Sequence, residues 1–398
     1  MTTATRTNET NHTTTAVNTE TPIARIREEI LALKPYIPGK PIEEVKRELG
    51  ITGEIIKLAS NENPLGPSPA GVAAAQEILP KLALYPDGGC HDLRAAVARK
   101  MEVPGDWLIF GNGSDEVIHL LGLTFLTSGD EVVMGDPTFV LYETAATLNG
   151  AAAVRVPLTR PDFRHDARAM VEAFSPSTRL VFIANPHNPT GSVIGKAEVD
   201  HLLSHLPSRA LLILDEAYGE YVYEDPDFPA AVDYIRQGAP VVGLRTFSKM
   251  YGLAGLRIGY GVAQPEIIRL LNQARSPFNV NSVAQAAAVA AVDDDSFVEK
   301  GKQVNSEGLA QLAEGFSRFG LTYIPSRANF IMVDTKRPCR AVFDALLRQG
   351  VIVRTGDIFG LPTMVRVTVG TPEQNEKFLA TLGKALEAVP ESTPESTV

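Results

Sequence analysis

Lys249 stands on a short polar turn inside the run Arg245-Thr246-Phe247-Ser248-Lys249-Met250-Tyr251-Gly252-Leu253-Ala254-Gly255-Leu256-Arg257, with Ser248 beside it and Arg257 eight residues on. A lysine placed this way suits imine formation with a phosphorylated aldehyde: the amine attacks the carbonyl carbon, and the neighbouring hydroxyl and guanidinium are there for the phosphate. Taken alone, a Ser-Lys pair in a glycine-bearing loop reads as a solvated surface turn. The chemical reading therefore depends on partners elsewhere in the chain.

Three other polar clusters each follow a short apolar run. After Trp107 to Phe110 comes Gly111-Asn112-Gly113-Ser114-Asp115-Glu116 and then a helical periodicity, so a glycine loop and a helix start point their N–H groups at one place, which suits phosphate. It lacks the glycine spacing of a dinucleotide fingerprint and the Gly-Lys-Ser/Thr of a P-loop. After Leu180 to Ala184 comes Asn185-Pro186-His187-Asn188-Pro189-Thr190-Gly191, where two prolines fix a turn that presents Asn188. After Leu211 to Leu214 comes Asp215-Glu216-Ala217-Tyr218, a carboxylate at a strand end that needs a cationic partner or serves as an N-cap. Together these offer a phosphate cradle, a carboxylate, an amide with a nearby phenol, a lysine and an arginine, which is the set pyridoxal phosphate asks for. A carboxylate favours a protonated pyridine nitrogen by roughly 1 to 3 pKa units. Asp215 fits that task. Asn188 and Tyr218 suit the ring oxygen, and Ser114, Ser248 and Arg257 suit a phosphate of roughly −1.5 to −2 charges.

The elements that must position these groups are legible as an alternation. Trp107 to Phe110, Glu131 to Met134, Leu180 to Ala184, Leu211 to Leu214, Val241 to Leu244 and Ile258 to Val262 read as strands with helix-like segments between them. That pattern predicts an α/β fold with a mainly parallel sheet and with ligands at the carboxyl ends of its strands. After about residue 290 a long charged helix to Phe319, strands at Asn329 to Val333, Val351 to Arg354 and Val365 to Val369, and a helix near Ala341 to Arg348 predict a smaller α+β domain. The expected organisation is a structureless tail over 1–21, an arm packing with the small domain over 22–58, a large domain over 59–290, a small domain over 291–388, and a second tail over 389–398.

Length and composition narrow the function classes. The 398 residues suffice for a large core of one or two domains, and the net charge of −10, spread along the chain, disfavours nucleic-acid or anionic-membrane surfaces. No run reaches the roughly 18 to 20 apolar residues of a spanning helix. Cys90 and Cys339 lie far apart without metal-like spacing, so free thiols in a reducing compartment, the cytoplasm, are expected. His201 and His205 stand at i and i+4 but lack the glutamate of a zinc motif, and no metal is expected.

With these motifs assembled, the chain resembles the fold-type I pyridoxal-phosphate aminotransferases, and within them the histidinol-phosphate branch, from about Ile26 to Leu386. The resemblance also rests on Tyr36-Ile37-Pro38-Gly39-Lys40, Lys57-Leu58-Ala59-Ser60-Asn61-Glu62-Asn63-Pro64-Leu65-Gly66, Tyr85-Pro86-Asp87-Gly88 and Val365-Arg366-Val367-Thr368-Val369-Gly370. It implies a large domain on a mainly parallel sheet of the seven-stranded, aspartate-aminotransferase-like type, that Lys249 binds the cofactor and moves a proton, that Asp215 pairs with the pyridinium, and that Asn188 and Tyr218 hold the ring oxygen. It adds Gly113, Asp115 and Thr246 to the cofactor residues beside Ser114, Ser248 and Arg257. Phe139 falls where many members stack a tyrosine on the ring. Tyr85 is implied to reach the neighbouring subunit's phosphate, in a homodimer with shared active sites. Arg366 is the implied anion clamp with Arg354 as its partner, and Tyr36 and Asn61 belong to a segment closing over substrate. The implied reaction moves the amino group of L-histidinol phosphate to 2-oxoglutarate in histidine biosynthesis. An aromatic-amino-acid aminotransferase and a phosphothreonine decarboxylase on the same scaffold are the alternatives, and a cofactor-binding regulator is disfavoured by Lys249 and by the absence of a helix-turn-helix pattern near the N-terminus.

Overall fold

The computed structural model describes residues 5–6, 27–33, 41–50 and 53–392. Tyr36 and its motif, most of the threonine-rich N-terminal stretch, and residues 393–398 lie outside the described residues. The strands, in chain order, are β1 (Thr5–Arg6), β2 (Ile56–Lys57), β3 (Leu108–Gly111), β4 (Glu131–Asp136), β5 (Ala152–Pro157), β6 (Thr178–Ala184) and β7 (Leu211–Asp215). They continue with β8 (Val241–Thr246), β9 (Gly259–Val262), β10 (Thr322–Ile324), β11 (Phe330–Asp334), β12 (Val351–Ile352), β13 (Arg354–Thr355) and β14 (Met364–Thr368).

The large sheet has the order β1-β5-β4-β6-β7-β8-β9-β3. β5, β4, β6, β7 and β8 run parallel, while β9 is antiparallel to both β8 and β3. β3 therefore points the same way as β8, and the four chain segments bearing the polar clusters leave the sheet at one edge. The fold is the expected α/β arrangement, with an eighth strand beyond the seven-stranded type. That strand is β1, from the stretch expected to lack structure; Thr5 and Arg6 pair antiparallel with Arg155 and Val154, covering the otherwise open edge of β5.

Strand alternation explains why the central runs are apolar throughout. In β6, Val181 and Ile183 enter the core on one face while Leu180, Phe182 and Ala184 enter the core on the other. β7 divides in the same way, Leu212 and Leu214 opposite Ile213. A strand covered by helices on both faces has no solvent side, so no polar residue is needed at either parity. Each fully buried aromatic such as Phe182 contributes roughly 1.5–3 kcal/mol over exposure.

A second sheet, β10-β11-β14-β13, is antiparallel and carries its own core of Ile331, Val333, Val365, Val367, Leu312, Phe316 and Phe378. The long helix expected after residue 290 spans Asp295–Arg318, started by the Asp294 carboxylate accepting from the Phe297 N–H. The single strand expected from Val351 to Arg354 is instead two strands in two sheets. β12 pairs parallel with β2, and β13 pairs antiparallel with β14. Ile56 and Leu58 pack in the same core as Ile331 and Val367. Sequence reading also missed β5, whose alternation in Ala152-Ala153-Val154-Arg155-Val156-Pro157 is diluted by alanines.

Candidate active site

At the shared edge of the large sheet lies a cavity of about 260 Å³, lined among others by Ser114, Phe139, Asn188, Asp215, Tyr218 and Lys249. Asp115, Thr246, Ser248 and Arg257 complete the predicted residues that reach it. Residues from four strand ends converge because β3, β6, β7 and β8 stop at the same level, the general place for ligands in open α/β sheets.

Each polar group is set by local chain chemistry. Past β3, Gly113 adopts φ +80 immediately before the helix Ser114–Phe125, and a Cβ there would come within 2.6 Å of Arg257 Nη2. Only glycine allows that turn and that approach together. Gly259 is bound in the same way, since a Cβ would lie 2.3 Å from the Ser114 nitrogen. Arg257 itself sits in the left-handed region at φ 54, and its Nη2 donates to Asp115 Oδ2 at 2.9 Å. Asp115, expected on the cofactor, thus orients the arginine. Beyond β8, the Ser248 N–H donates to Thr246 Oγ1 at 3.1 Å, and Thr246 Oγ1 lies 2.9 Å from Ser248 Oγ. The result is a helix start, two hydroxyls and a guanidinium on one wall, a donor set that fits a phosphate.

Asp215 ends β7 and is buried, with Ala217 N–H donating to Oδ1 at 3.1 Å and the Tyr142 hydroxyl donating to Oδ2 at 2.6 Å. Among the described residues no cationic side chain is bonded to it. Burial, the largest cause, pushes its carboxyl up to about 6, against the lowering effect of these two hydrogen bonds. A buried carboxylate facing a cavity without a cation is matched to a protonated ring nitrogen.

Lys249 is half-buried, its Nζ donating to the Ser60 carbonyl at 3.1 Å and lying 5.7 Å from the centre of the Tyr218 ring. Burial first, and then the positive charge of Arg366, push its amine down to about 8. A useful fraction is therefore neutral and nucleophilic near neutral pH. Tyr218 accepts from Asn61 Nδ2 at 2.8 Å, which leaves the phenol's own proton for an acceptor in the cavity. Asn61 is held in turn, its N–H donating to Thr368 Oγ1 and its carbonyl accepting from Asn329 Nδ2.

The predicted arginines behave differently from one another. Arg366, on β14, is buried, with Nη1 donating to Asn188 Oδ1 at 2.6 Å and Nη2 to the Ala59 carbonyl at 2.9 Å. It stands behind the cavity, bridging the two sheets. Arg354 is opposite it in register on β13 and is half-buried. Tyr85 does not line the cavity; it is 83% exposed and stacks on Phe278 at 4.9 Å. Sequence reading missed Tyr142, Ser60 and Glu62, which also line the cavity. For Tyr142 a signal was present: a tyrosine three residues after Phe139, in a helix facing the core, must bury a hydroxyl that needs a partner. His201 and His205 touch only each other's helix turn, His205 Nδ1 lying 2.9 Å from the His201 carbonyl, and among the described residues no group of three metal-ligating side chains gathers.

The donor set and the buried carboxylate define an α/β enzyme site of the aminotransferase type. Residues 53–382 match the family described as aminotransferase class I and II. The chain is 55% identical over 371 residues to the histidinol-phosphate aminotransferase of Moorella thermoacetica, covering 92% of this chain and 95% of the relative. It is 47% identical to histidinol-phosphate aminotransferase 2 of Carboxydothermus hydrogenoformans, covering 91% and 99%. The crystal structure of the Sinorhizobium meliloti histidinol-phosphate aminotransferase in complex with pyridoxal-5'-phosphate superposes with a TM-score of 0.84 at 27% identity, over 92% of this chain and 98% of that one. The chain belongs to the class I and II aminotransferase family, in its histidinol-phosphate aminotransferase branch.

Proposed function

We propose that the chain transfers the amino group of L-histidinol phosphate to 2-oxoglutarate, giving imidazole acetol phosphate and L-glutamate, with pyridoxal phosphate held in the cavity. The single observation that carries this is the convergence of Lys249, Asp215 and the Ser114–Arg257 wall on one cavity. When bound, the cofactor supplies an electron sink conjugated to the carbon that carries the substrate nitrogen. Lys249 Nζ would hold the aldehyde carbon and then move the proton at the substrate carbon. Asp215 keeps the ring nitrogen protonated. Tyr218 and Asn188 donate toward the ring oxygen, and Phe139 covers the ring face. Ser114, Thr246, Ser248 and Arg257, oriented by Asp115, hold the phosphate, with Gly113 leaving room for the arginine.

Arg366 is the substrate clamp in this reading. A guanidinium grips a carboxylate or a phosphate with the same fork, so one arginine serves both a phosphorylated amino alcohol and glutamate. Arg354 and Asn61 support it from β13 and from the strap that follows β2. The assembly is a homodimer: Leu82, Leu84, Tyr85 and Phe278 are exposed apolar side chains that a second subunit would cover, and Tyr85 would then reach that subunit's phosphate. The enzyme works in the cytoplasm on small molecules, in histidine biosynthesis. Its free, buried Cys90 and Cys339 suit a reducing compartment, and among the described residues no helix is long and apolar enough to cross a membrane.

The test is the cofactor spectrum of the loaded protein after separate addition of histidinol phosphate, phenylalanine and phosphothreonine. Histidinol phosphate converts the cofactor to its amine form fastest. Faster conversion by phenylalanine makes the protein an aromatic-amino-acid aminotransferase, and carbon dioxide release from phosphothreonine makes it a decarboxylase.

A pH dependence follows from Asp215. In the empty cavity its carboxyl titrates near 6, raised above the ordinary value of 3.8, so below pH 6 it carries a proton that must leave when a pyridinium binds. Cofactor affinity, measured by equilibrium dialysis, falls about tenfold per unit as pH drops below 6. A flat profile from pH 7 to 5 would remove Asp215 from the ring nitrogen.

A further inference from the structure

The Asp215 carboxylate does not stand alone at the end of β7. Tyr142, on the helix Val140–Leu148, is fully buried, its ring stacked on Phe182 at 4.4 Å and 10° and edge-on to Phe139 at 5.6 Å and 83°. Two aromatic contacts leave the ring no other seat. Its hydroxyl meets Asp215 Oδ2 at 2.6 Å, within the 2.5–2.7 Å typical of a hydroxyl on an ionised carboxylate. The other oxygen, Oδ1, accepts, among the described residues, the Ala217 N–H alone. Each carboxylate oxygen has two lone pairs, so one on each side remains for the cavity.

We propose that Tyr142 is a positioning residue for amino-group transfer: its hydroxyl fixes the orientation and charge of the Asp215 carboxylate against the cofactor's ring nitrogen. The inference rests on the cofactor reading above. Two physical consequences support it. A rigid donor on Oδ2 stops the carboxylate from rotating about its last bond, so the acceptor aimed into the cavity is already in place when a ligand arrives. The same donor stabilises the ionised form against burial, which works in the opposite direction. Tyr142 is suited to this because burial, followed by the Asp215 charge, holds its phenol well above the ordinary range, so it stays a donor at every working pH. Phe139 and Tyr142 thus form a pair from one helix start, both lining the cavity, the second with its hydroxyl on the carboxylate.

Other groups also face Asp215. Asp115, from the helix Ser114–Phe125, and Glu216, next in the chain, both push its carboxyl up. Glu216 is tied to Arg245 Nε at 2.9 Å, to the Tyr223 hydroxyl and to the Ala231 N–H. Tyr218 completes the surroundings. Of the side chains in this group, Tyr142 is the one whose hydrogen bond to the carboxylate favours ionisation.

The experiment compares the acid limb of cofactor affinity in the wild-type protein, in Tyr142→Phe and in protein carrying 3-fluorotyrosine at position 142. Phenylalanine keeps the stack on Phe182 and removes the hydroxyl; loss of one charge-assisted hydrogen bond moves the acid limb up by about 1 to 2 pH units. Fluorotyrosine keeps the shape and strengthens the donor, and moves the limb down. Phe182→Leu, which loosens the stack but keeps the hydroxyl, leaves the limb at its wild-type position. In kinetics, Tyr142→Phe lowers kcat about tenfold or more while KM for both substrates changes little, because the residue acts through the carboxylate. An unmoved limb in both Tyr142 proteins overturns the proposal, as does a Phe182→Leu limb that shifts as far as that of Tyr142→Phe. A wild-type protein that gives no Lys249-dependent cofactor absorbance overturns the cofactor reading itself and this inference with it. Normal wild-type loading with unmoved limbs overturns this inference alone.

Discussion

Lys249→Ala lowers transamination by about 10⁴-fold or more, because in the proposed mechanism one side chain performs both the nucleophilic step and the proton movement. Two measurements check this. The visible absorbance of a lysine-bound cofactor disappears, and single-turnover conversion of histidinol phosphate falls to the slow rate of free cofactor in a pocket. Lys249 is half-buried, and among the described residues its Nζ bonds the Ser60 carbonyl and faces the Tyr218 ring without belonging to an apolar core, so alanine leaves the surrounding cores intact. The sign of the pH dependence is also set. With the amine pushed down to about 8, the neutral form grows as pH rises, so the rate of cofactor attachment to the empty protein rises through pH 8 and levels off above it. Retained absorbance and activity in the alanine protein would assign the chemistry to another amine.

Asp215→Asn has the second largest effect. The amide is the same size and keeps a hydrogen bond with Tyr142, but it cannot favour a protonated ring nitrogen. Losing a preference of roughly 1 to 3 pKa units lowers kcat by about 10²–10³-fold while the phosphate wall still retains the cofactor. The acid limb of cofactor affinity near pH 6 vanishes with the titrating group. Turnover within threefold of wild type would mean that the ring nitrogen is set by something other than this carboxylate.

The parts of the site that lie on strand ends were legible because apolar runs and the polar turns after them are local in sequence. Lys249, Asp215, Asn188 and Ser114 each follow a run whose length and composition mark a buried strand, and parallel strands bring their ends together. What was hidden is long-range or masked by composition. Tyr142 sits in an apolar helix where its ring satisfies the pattern and only its hydroxyl departs from it. Asn188 bonding Arg366 joins a turn of the large sheet to a strand of the second, which no local signal reports. Ser60 and Glu62 reach the cavity only because the chain after β2 crosses to it. The run Val351 to Arg354 read as one strand because all four residues are compatible with extended backbone; its division between two sheets is decided by partners, β2 on one side and β14 on the other.

The pairing of β2 with β12 has a consequence for how the polypeptide is made. Ile56 and Lys57 leave the ribosome before any strand from β3 to β9, yet their ladder partners Val351 and Ile352 are made only after all of those strands. Ile56 and Leu58 belong to a core whose other members, from Leu312 to Ala385, do not yet exist. The β3–β9 sheet can form during translation, while the early strap waits with apolar side chains uncovered. Non-local pairing of this kind is slow and prone to association until it closes. Closure of the second core, rather than formation of the large sheet, is then the step that covers these side chains.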